Sequence, residues 1–184
     1  MRVNDKTSHR MILDTPRFRV FHDISCHGQT TRKDYYYLTK PNSVAIVPFK
    51  TNRILFLRVK RYLTHSIRYE LPGGRVESGE TPLKTAKREL KEETGLTSKK
   101  WMYLGSTYPL PSITTERVYM YSAAIPLTDE VTLATHAREE GIIDCAFLDF
   151  RRVWRALSNN QVASPIDGFA AVLFLRRSHE SRCR

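Results

Sequence analysis

Glu89, Glu92 and Glu93 stand at spacing i, i+3, i+4 within residues 81–94, a stretch that reads as a helix. Thr81 can cap its start, Pro82 suits the first helical position, and Gly95 stops it. Leu83, Ala86, Leu90 and Thr94 form one stripe that should face a core, with Lys84, Lys87 and Lys91 opposite, toward water. The three glutamates share the side that flanks the stripe, and Glu93 should be a surface carboxylate. Glu89 and Glu93 are a like-charge i,i+4 pair, which costs a helix roughly 0.2–0.5 kcal/mol, and Arg88 relieves only part of that by pairing with Glu92. Three converging carboxylates call for a cation, and an oxygen-only ligand set favours a hard one, Mg²⁺ or Mn²⁺.

The segment ahead of the helix suits that chemistry. Gly73 and Gly74 let the backbone turn sharply and come close to a ligand, and a carbonyl there could supply another oxygen. Glu80 lies just before the helix, where a carboxylate is favourable. The spacing runs further: Gly74, five residues, Glu80, seven residues, then Arg88-Glu89-Leu90-Lys91-Glu92-Glu93-Thr94-Gly95-Leu96. This pattern resembles the Nudix box at every defined position. The resemblance covers about residues 43–176 and implies an α/β/α sandwich with a mixed sheet. It further implies hydrolysis of a nucleoside diphosphate linked to another group. Carried over by the box, Glu89, Glu92, Glu93 and the Gly73 carbonyl would be metal ligands, and Arg88 with Glu80 would hold loop and helix together. The chemistry is consistent: metal ions neutralise phosphate oxygens and acidify a bound water, and a glutamate base takes that water's proton.

Substrate choice lies outside the box. Pro111, sixteen residues after Gly95, is similar to a marker of the ADP-ribose pyrophosphatase subgroup, and Thr115-Glu116-Arg117 resembles that subgroup's loop. Arg61 sits where the subgroup keeps a phosphate-binding arginine, and Glu70 and Tyr69 lie just before Leu71-Pro72-Gly73-Gly74. Many subgroup members carry alanine in place of the first glycine. No tyrosine occupies positions 111–113, where diadenosine polyphosphate hydrolases keep one. Tyr69 and Tyr35–Tyr37 could stack an adenine, although strand tyrosines commonly serve packing. With the box carboxylates on metal, the resemblance places the general base on the segment 126–141: Glu140 first, Glu139 second, and Glu116 as a substrate-loop alternative.

The elements that must position these residues are strands and helices in mixed order, hence an α+β fold with a mixed sheet. Residues 17–25 and 34–39 read as an N-terminal hairpin around a turn at 27–30, similar to the subgroup's extra β region that pairs with a second subunit. Residues 43–49 and 53–59 read as a second hairpin, and 101–108, 117–125 and 142–148 as further strands. Residues 126–138 read as an irregular loop, and 151–157 and 166–175 as helices. The expected organisation is an N-terminal β region over 1–42 for dimerisation, a hydrolase domain over 43–178, and a basic tail over 179–184.

Composition is that of a soluble globular chain, with 41% hydrophobic and 27% charged residues among 184. Cys26, Cys145 and Cys183 are too few and too widely spaced for a disulfide framework or a zinc site. The start lacks an apolar leader and 169–175 is too short to span a bilayer, so a cytoplasmic protein without membrane contact is expected. The net charge of +11 favours anionic ligands. Scattered basic residues without an aromatic signature favour a small nucleotide over nucleic acid. Three readings follow: a nucleoside diphosphate sugar pyrophosphatase acting on ADP-ribose, a Nudix enzyme for dinucleotides, triphosphates or RNA ends, and a non-catalytic nucleotide sensor.

Overall fold

The computed structural model describes residues 6–27 and 31–180. The turn at 28–30, Cys183 and most of the basic tail lie outside these residues. The chain divides into two units, Met1–Asn42 with Tyr108–Arg117, and Ser43–Thr107 with Val118–Arg184.

In the first unit, β1 (Lys6–Asp14), β2 (Arg19–His27) and β3 (Thr31–Thr39) form an antiparallel sheet in the order β1-β2-β3. The hairpin expected from sequence is therefore two-thirds of a three-stranded sheet. Three strands with packed side chains have an independent stability that two lack. Phe21 stacks between His9 and Tyr37, one residue from each strand. The segment Tyr108–Arg117 joins this unit through Leu38 N–H to Ile113 O at 2.7 Å and Thr115 N–H to Leu38 O at 3.1 Å.

The second unit is built on β4 (Ser43–Lys50), β5 (Arg53–Arg61), β6 (Ser66–Glu70), β7 (Gly73–Arg75), β8 (Lys100–Thr107), β9 (Val118–Ala124) and β10 (Ile142–Asp149). Its sheet runs β10-β5-β4-β9-β8, with β4 and β9 parallel and the other pairs antiparallel. The central strands are apolar on both faces because both are covered. Val44, Ile46 and Leu55 pack with Ala86 and Leu90 of α1 (Pro82–Thr94). Ala45, Val47, Ile54 and Phe56 pack on the other face with Val153 of α3 (Phe150–Ser158) and Ala170, Ala171 and Phe174 of α4 (Pro165–Glu180). The result is the α/β/α layering expected from the resemblance.

The strand β4 stays beside β5 only at Phe49↔Ile54 and Lys50↔Arg53, and then the two diverge. The gap is bridged by the chain itself. β6 pairs with β5 from Arg61↔Ser66 to Leu57↔Glu70, and β7 pairs with β4 from Ala45↔Gly73 to Ser43↔Arg75. Leu71 and Pro72 cross between them. Sequence reading expected only a polar loop here. It also expected irregular chain over 126–138, where the structure has a short helix, α2 (Thr135–Glu139). Among the described residues, no helix is long and apolar enough to cross a membrane.

Candidate active site

Helix α1 begins and ends where its caps dictate. Thr81 Oγ1 accepts from Lys84 N–H at 3.3 Å, and Gly95, at φ 70°, returns its N–H to Lys91 O at 2.9 Å. Positive φ is the reason a glycine stands at 95.

The carboxylates on α1 divide among three environments. Glu92 is 43% exposed, with Oε2 2.8 Å from Arg88 Nη1. Glu89 is half-buried and shares that same Arg88 nitrogen at 2.9 Å. Glu93 is only 7% exposed, and its Oε2 accepts Gly73 N–H at 2.9 Å. The expectation of a surface Glu93 is therefore corrected. Position 93 lies three residues after Leu90, so helical geometry turns it toward the same covered side. Among the described residues no three Asp, Glu, His or Cys side chains form a preformed metal-ligand cluster. Arg88 holds Glu92 outward and Glu89 against Gly74, while the Gly73 amide holds Glu93 inward.

Arg88 also closes the loop onto the helix. Its Nη2 reaches Glu80 Oε2 at 3.1 Å and Arg75 O at 3.3 Å, and Thr85 Oγ1 donates to Glu80 Oε2 at 2.8 Å. The hydrogen bonds from Arg88, then Thr85, hold Glu80 below the usual carboxylate range. Gly74 lies against Glu89: a Cβ there would stand 2.1 Å from Glu89 Oε1. A Cβ at Gly73 would stand 2.2 Å from the Val44 carbonyl oxygen, a backbone atom in the β4–β7 pairing. Gly73→Ala should therefore destabilise the protein by about 1–3 kcal/mol, since the strands must part to admit it. Denaturant unfolding checks this, and an unchanged midpoint would contradict the packing described.

Two other expected residues act on these carboxylates through their charge. Arg61 forms a bidentate pair with Glu70, at 3.0 Å from Nε to Oε1 and 2.5 Å from Nη2 to Oε2. Glu140 precedes Gly141, whose carbonyl accepts Lys60 N–H at 2.9 Å. A Cβ on Gly141 would lie 2.5 Å from Lys60 O, so only glycine allows this close approach to the end of β5, and Glu140 just before it is exposed. Burial pushes Glu93 well above the usual carboxylate range, against the Gly73 amide, and the charges of Glu89 and Glu140 add to it. Glu89 is raised first by burial, against Arg88, and further by Glu92 and Glu140. The donor set is oxygen throughout, which fits Mg²⁺ or Mn²⁺.

Other expected residues are placed elsewhere. Tyr69 packs edge-on against Phe56, 6.0 Å between ring centroids, in the core layer of α3 and α4. It is not brought to the carboxylates, because neighbours on a strand face opposite sides and Glu70 takes the other. Glu139 is exposed at the end of α2. Pro111 and Glu116 belong to the first unit, where Glu116 is buried and pairs with Lys40 at 2.8 Å. Sequence reading missed Gly141 and Asp167, a buried acid in the first turn of α4. The only sequence signal for Asp167 is Ser164-Pro165-Ile166-Asp167, which reads as a helix start.

Residues 39–167 match the family model described as the NUDIX domain. Over 100 residues the chain is 35% identical to a methanol dehydrogenase activator of Bacillus methanolicus, covering 53% of this chain and 52% of that protein. It is 32% identical over 114 residues to an ADP-ribose pyrophosphatase of Bacillus subtilis (strain 168), covering 61% and 58%. It is 28% identical over 118 residues to a CMP-5'-(N-acetyl-N-hydroxy-3-aminopropyl)phosphonate hydrolase of Streptomyces rubellomurinus (strain ATCC 31215), covering 64% and 57%. The chain thus spans little more than half the length of these curated relatives. A crystal structure described as an ADP compounds hydrolase superposes with a TM-score of 0.81 at 18% identity, covering 97% of this chain and 95% of that one. At that identity the likeness is one of fold.

Proposed function

This chain belongs to the NUDIX family, and from that premise we propose that it hydrolyses the pyrophosphate bond of a nucleoside diphosphate sugar, ADP-ribose, to AMP and a sugar phosphate. The observation that carries the reading is the seating of two box carboxylates on the Gly73–Gly74 turn, Glu93 on the Gly73 amide and Glu89 against Gly74. Supporting it, the matched relatives include a protein described as an ADP-ribose pyrophosphatase.

Glu89, Glu92, Glu93 and the Gly73 carbonyl would hold Mg²⁺, or Mn²⁺ in its place. When bound, the metal supplies charge neutralisation at the phosphate oxygens and a more acidic water. The chain's own residues do the rest. Glu80, Arg88 and Arg75 fix the loop on the helix, so the ligand oxygens keep their places. Arg61, oriented by both oxygens of Glu70, presents its outer edge to a phosphate of the substrate. A carboxylate oxygen of Glu140 accepts the proton of the attacking water. The net charge of +11 draws the anionic substrate in.

The test is incubation with Mg²⁺ and a panel of nucleotide compounds, followed by product identification. ADP-ribose giving AMP is the expected result. Cleavage confined to triphosphates, dinucleotides or RNA ends would move the reading to another Nudix substrate. No turnover of any compound would favour a nucleotide-sensing module.

The same reading assigns residues 17–40 to a homodimer interface. Phe18, Tyr35 and Tyr36 on this stretch are exposed, as are Met11, Ile12 and Leu13 on the neighbouring strand. Aromatic and aliphatic side chains so displayed are typical of an interface core. Light scattering should give twice the monomer mass, and a monomeric mass at high concentration would refute the assignment.

A further inference from the structure

The sheet of the second unit carries a recess on the face turned away from α1. Arg58 of β5 stands in register with Tyr69 of β6 on one side and with Asp144 of β10 on the other. Cross-strand partners share a face, and Tyr69 packs on Phe56 in the layer of α3 and α4. These three residues line a cleft of about 730 Å³, walled by Asn159, Asn160 and Gln161 just after α3. Glu70, the next residue on β6, faces the other way and holds Arg61.

The wall is fixed along its length. Gln161 N–H donates to Ala156 O at 2.9 Å and Asn160 N–H to Leu157 O at 3.2 Å, the paired bonds of a Schellman motif. Asn160 takes the left-handed φ of 53° that the motif requires. The chain then runs beside β6, with Tyr69 N–H donating to Gln161 O and Ala163 N–H to Tyr69 O, both at 2.9 Å. Arg68 Nη1 donates to Asn160 O. The cap uses main-chain atoms, and glycine is the common residue at its left-handed position. Three consecutive carboxamides, Asn159-Asn160-Gln161, are more than the cap needs, and all three line the cleft.

Among the described residues the lining holds two guanidiniums, Arg58 and Arg68, and one carboxylate, Asp144. Arg58 Nη1 donates to Asp144 Oδ2 at 2.7 Å, and Arg58 is 43% exposed. A guanidinium has more donors than that one bond uses, so the pair orients the fork and leaves donors for a second oxyanion. A solvated surface ion pair accounts for Arg58 and Asp144 by themselves. It does not account for their place in a cleft beside a second arginine and a wall of carboxamides.

We propose that this cleft is a second ligand site, for a nucleoside monophosphate. The guanidiniums of Arg58 and Arg68 take the phosphate oxygens. The carboxamides offer adjacent donor and acceptor atoms to the edge of the base. Tyr69 and Ile67, also in the lining, offer apolar surface to its plane. The volume falls in the range of small-molecule sites, about 300–1,000 Å³, and exceeds what a bare phosphate ion needs. A nucleoside monophosphate is also a product of the hydrolysis proposed above, but the cleft is assigned on its own geometry and does not depend on that reading.

The test is an amide-shift titration of the full chain in EDTA at low salt, with AMP, adenosine and inorganic phosphate as probes. AMP should shift the amides of residues 66–69, 144–146 and 159–161. Adenosine and phosphate should each bind there at least about tenfold more weakly than AMP. Arg58→Gln should weaken AMP at those amides by about tenfold or more, and Gln161→Ala by several-fold. Shifts at residues 73–75 and 89–93 report the site on the other face, and neither variant should change them. AMP shifts confined to 73–75 and 89–93 would overturn the proposal, as would wild-type AMP binding in both variants. Phosphate alone matching AMP would also overturn it, since the cleft would then hold any small anion. If Arg58→Gln does not fold, Gln161→Ala decides, because the cap and strand bonds of Gln161 are main-chain bonds. A protein that binds AMP in the cleft and cleaves nothing keeps this site and loses the hydrolase reading. One that cleaves ADP-ribose without cleft shifts does the reverse.

Discussion

Glu93→Gln is expected to lose about a thousandfold or more in kcat while leaving a folded protein. The loss follows from its place. Glu93 is the innermost of the box carboxylates, held by the Gly73 amide and faced by Glu89 and Glu140. A ligand to a charge-neutralising metal contributes several kcal/mol to the transition state, and each 1.36 kcal/mol is about tenfold in rate. The fold survives because a glutamine oxygen can accept Gly73 N–H as the carboxylate does. Stability should even rise in the absence of metal. A carboxyl raised by burial binds its proton more tightly in the folded state. Its contribution is thus complete below the ordinary value of 4.5 and is lost as pH climbs through the raised one. In EDTA at neutral pH the variant should melt above wild type, with the gap closing toward pH 4. Mg²⁺ should stabilise wild type more than the variant. Wild-type turnover, or an unfolded variant, would contradict this account of Glu93.

Glu140→Gln is expected to lower kcat by about 10²–10⁴, the usual effect of removing a general base, with Mg²⁺ affinity nearly unchanged. Glu140 precedes Gly141, whose carbonyl accepts Lys60 N–H at the end of β5, and the charge of Glu140 acts on both Glu89 and Glu93. It carries no partner role in the Arg88 network that orders the box. Both residues are exposed, but Glu139, at the end of α2, is not among the charges that act on Glu89 and Glu93, so Glu139→Gln should change kcat far less. The comparison is made by steady-state kinetics together with Mn²⁺ titration of each variant. If both variants turn over as wild type does, the base lies elsewhere and the segment before β10 serves another purpose. Glu116, paired with Lys40, would then be the next carboxylate to replace.

The box helix was legible in the sequence because its determinants are local. Thr81, Pro82 and Gly95 cap it, Lys84, Lys87 and Lys91 mark its wet face, and Arg88 reaches Glu80 and Glu92 within a few residues. What stayed hidden depends on distant partners. Strand β1 is a mixed run, KTSHRMILD, that becomes a strand only by pairing with β2. The crossing at Leu71 and Pro72 exists because β4 and β5 part after two paired positions. Tyr69 and Glu70 face opposite ways because of register, and a shift of one residue would exchange them. Glu93 reads as one of three equivalent glutamates until the β7 amide claims it.

The most direct measurement is ³¹P NMR of ADP-ribose incubated with this 184-residue chain and Mg²⁺, beside matched samples with EDTA and with Glu93→Gln. The diphosphate resonances should give way to two monophosphate signals, one from AMP and one from the sugar phosphate, only in the first sample. Diphosphate resonances that persist there, or that disappear equally in all three samples, would contradict a metal-dependent pyrophosphatase built on Glu89, Glu92 and Glu93.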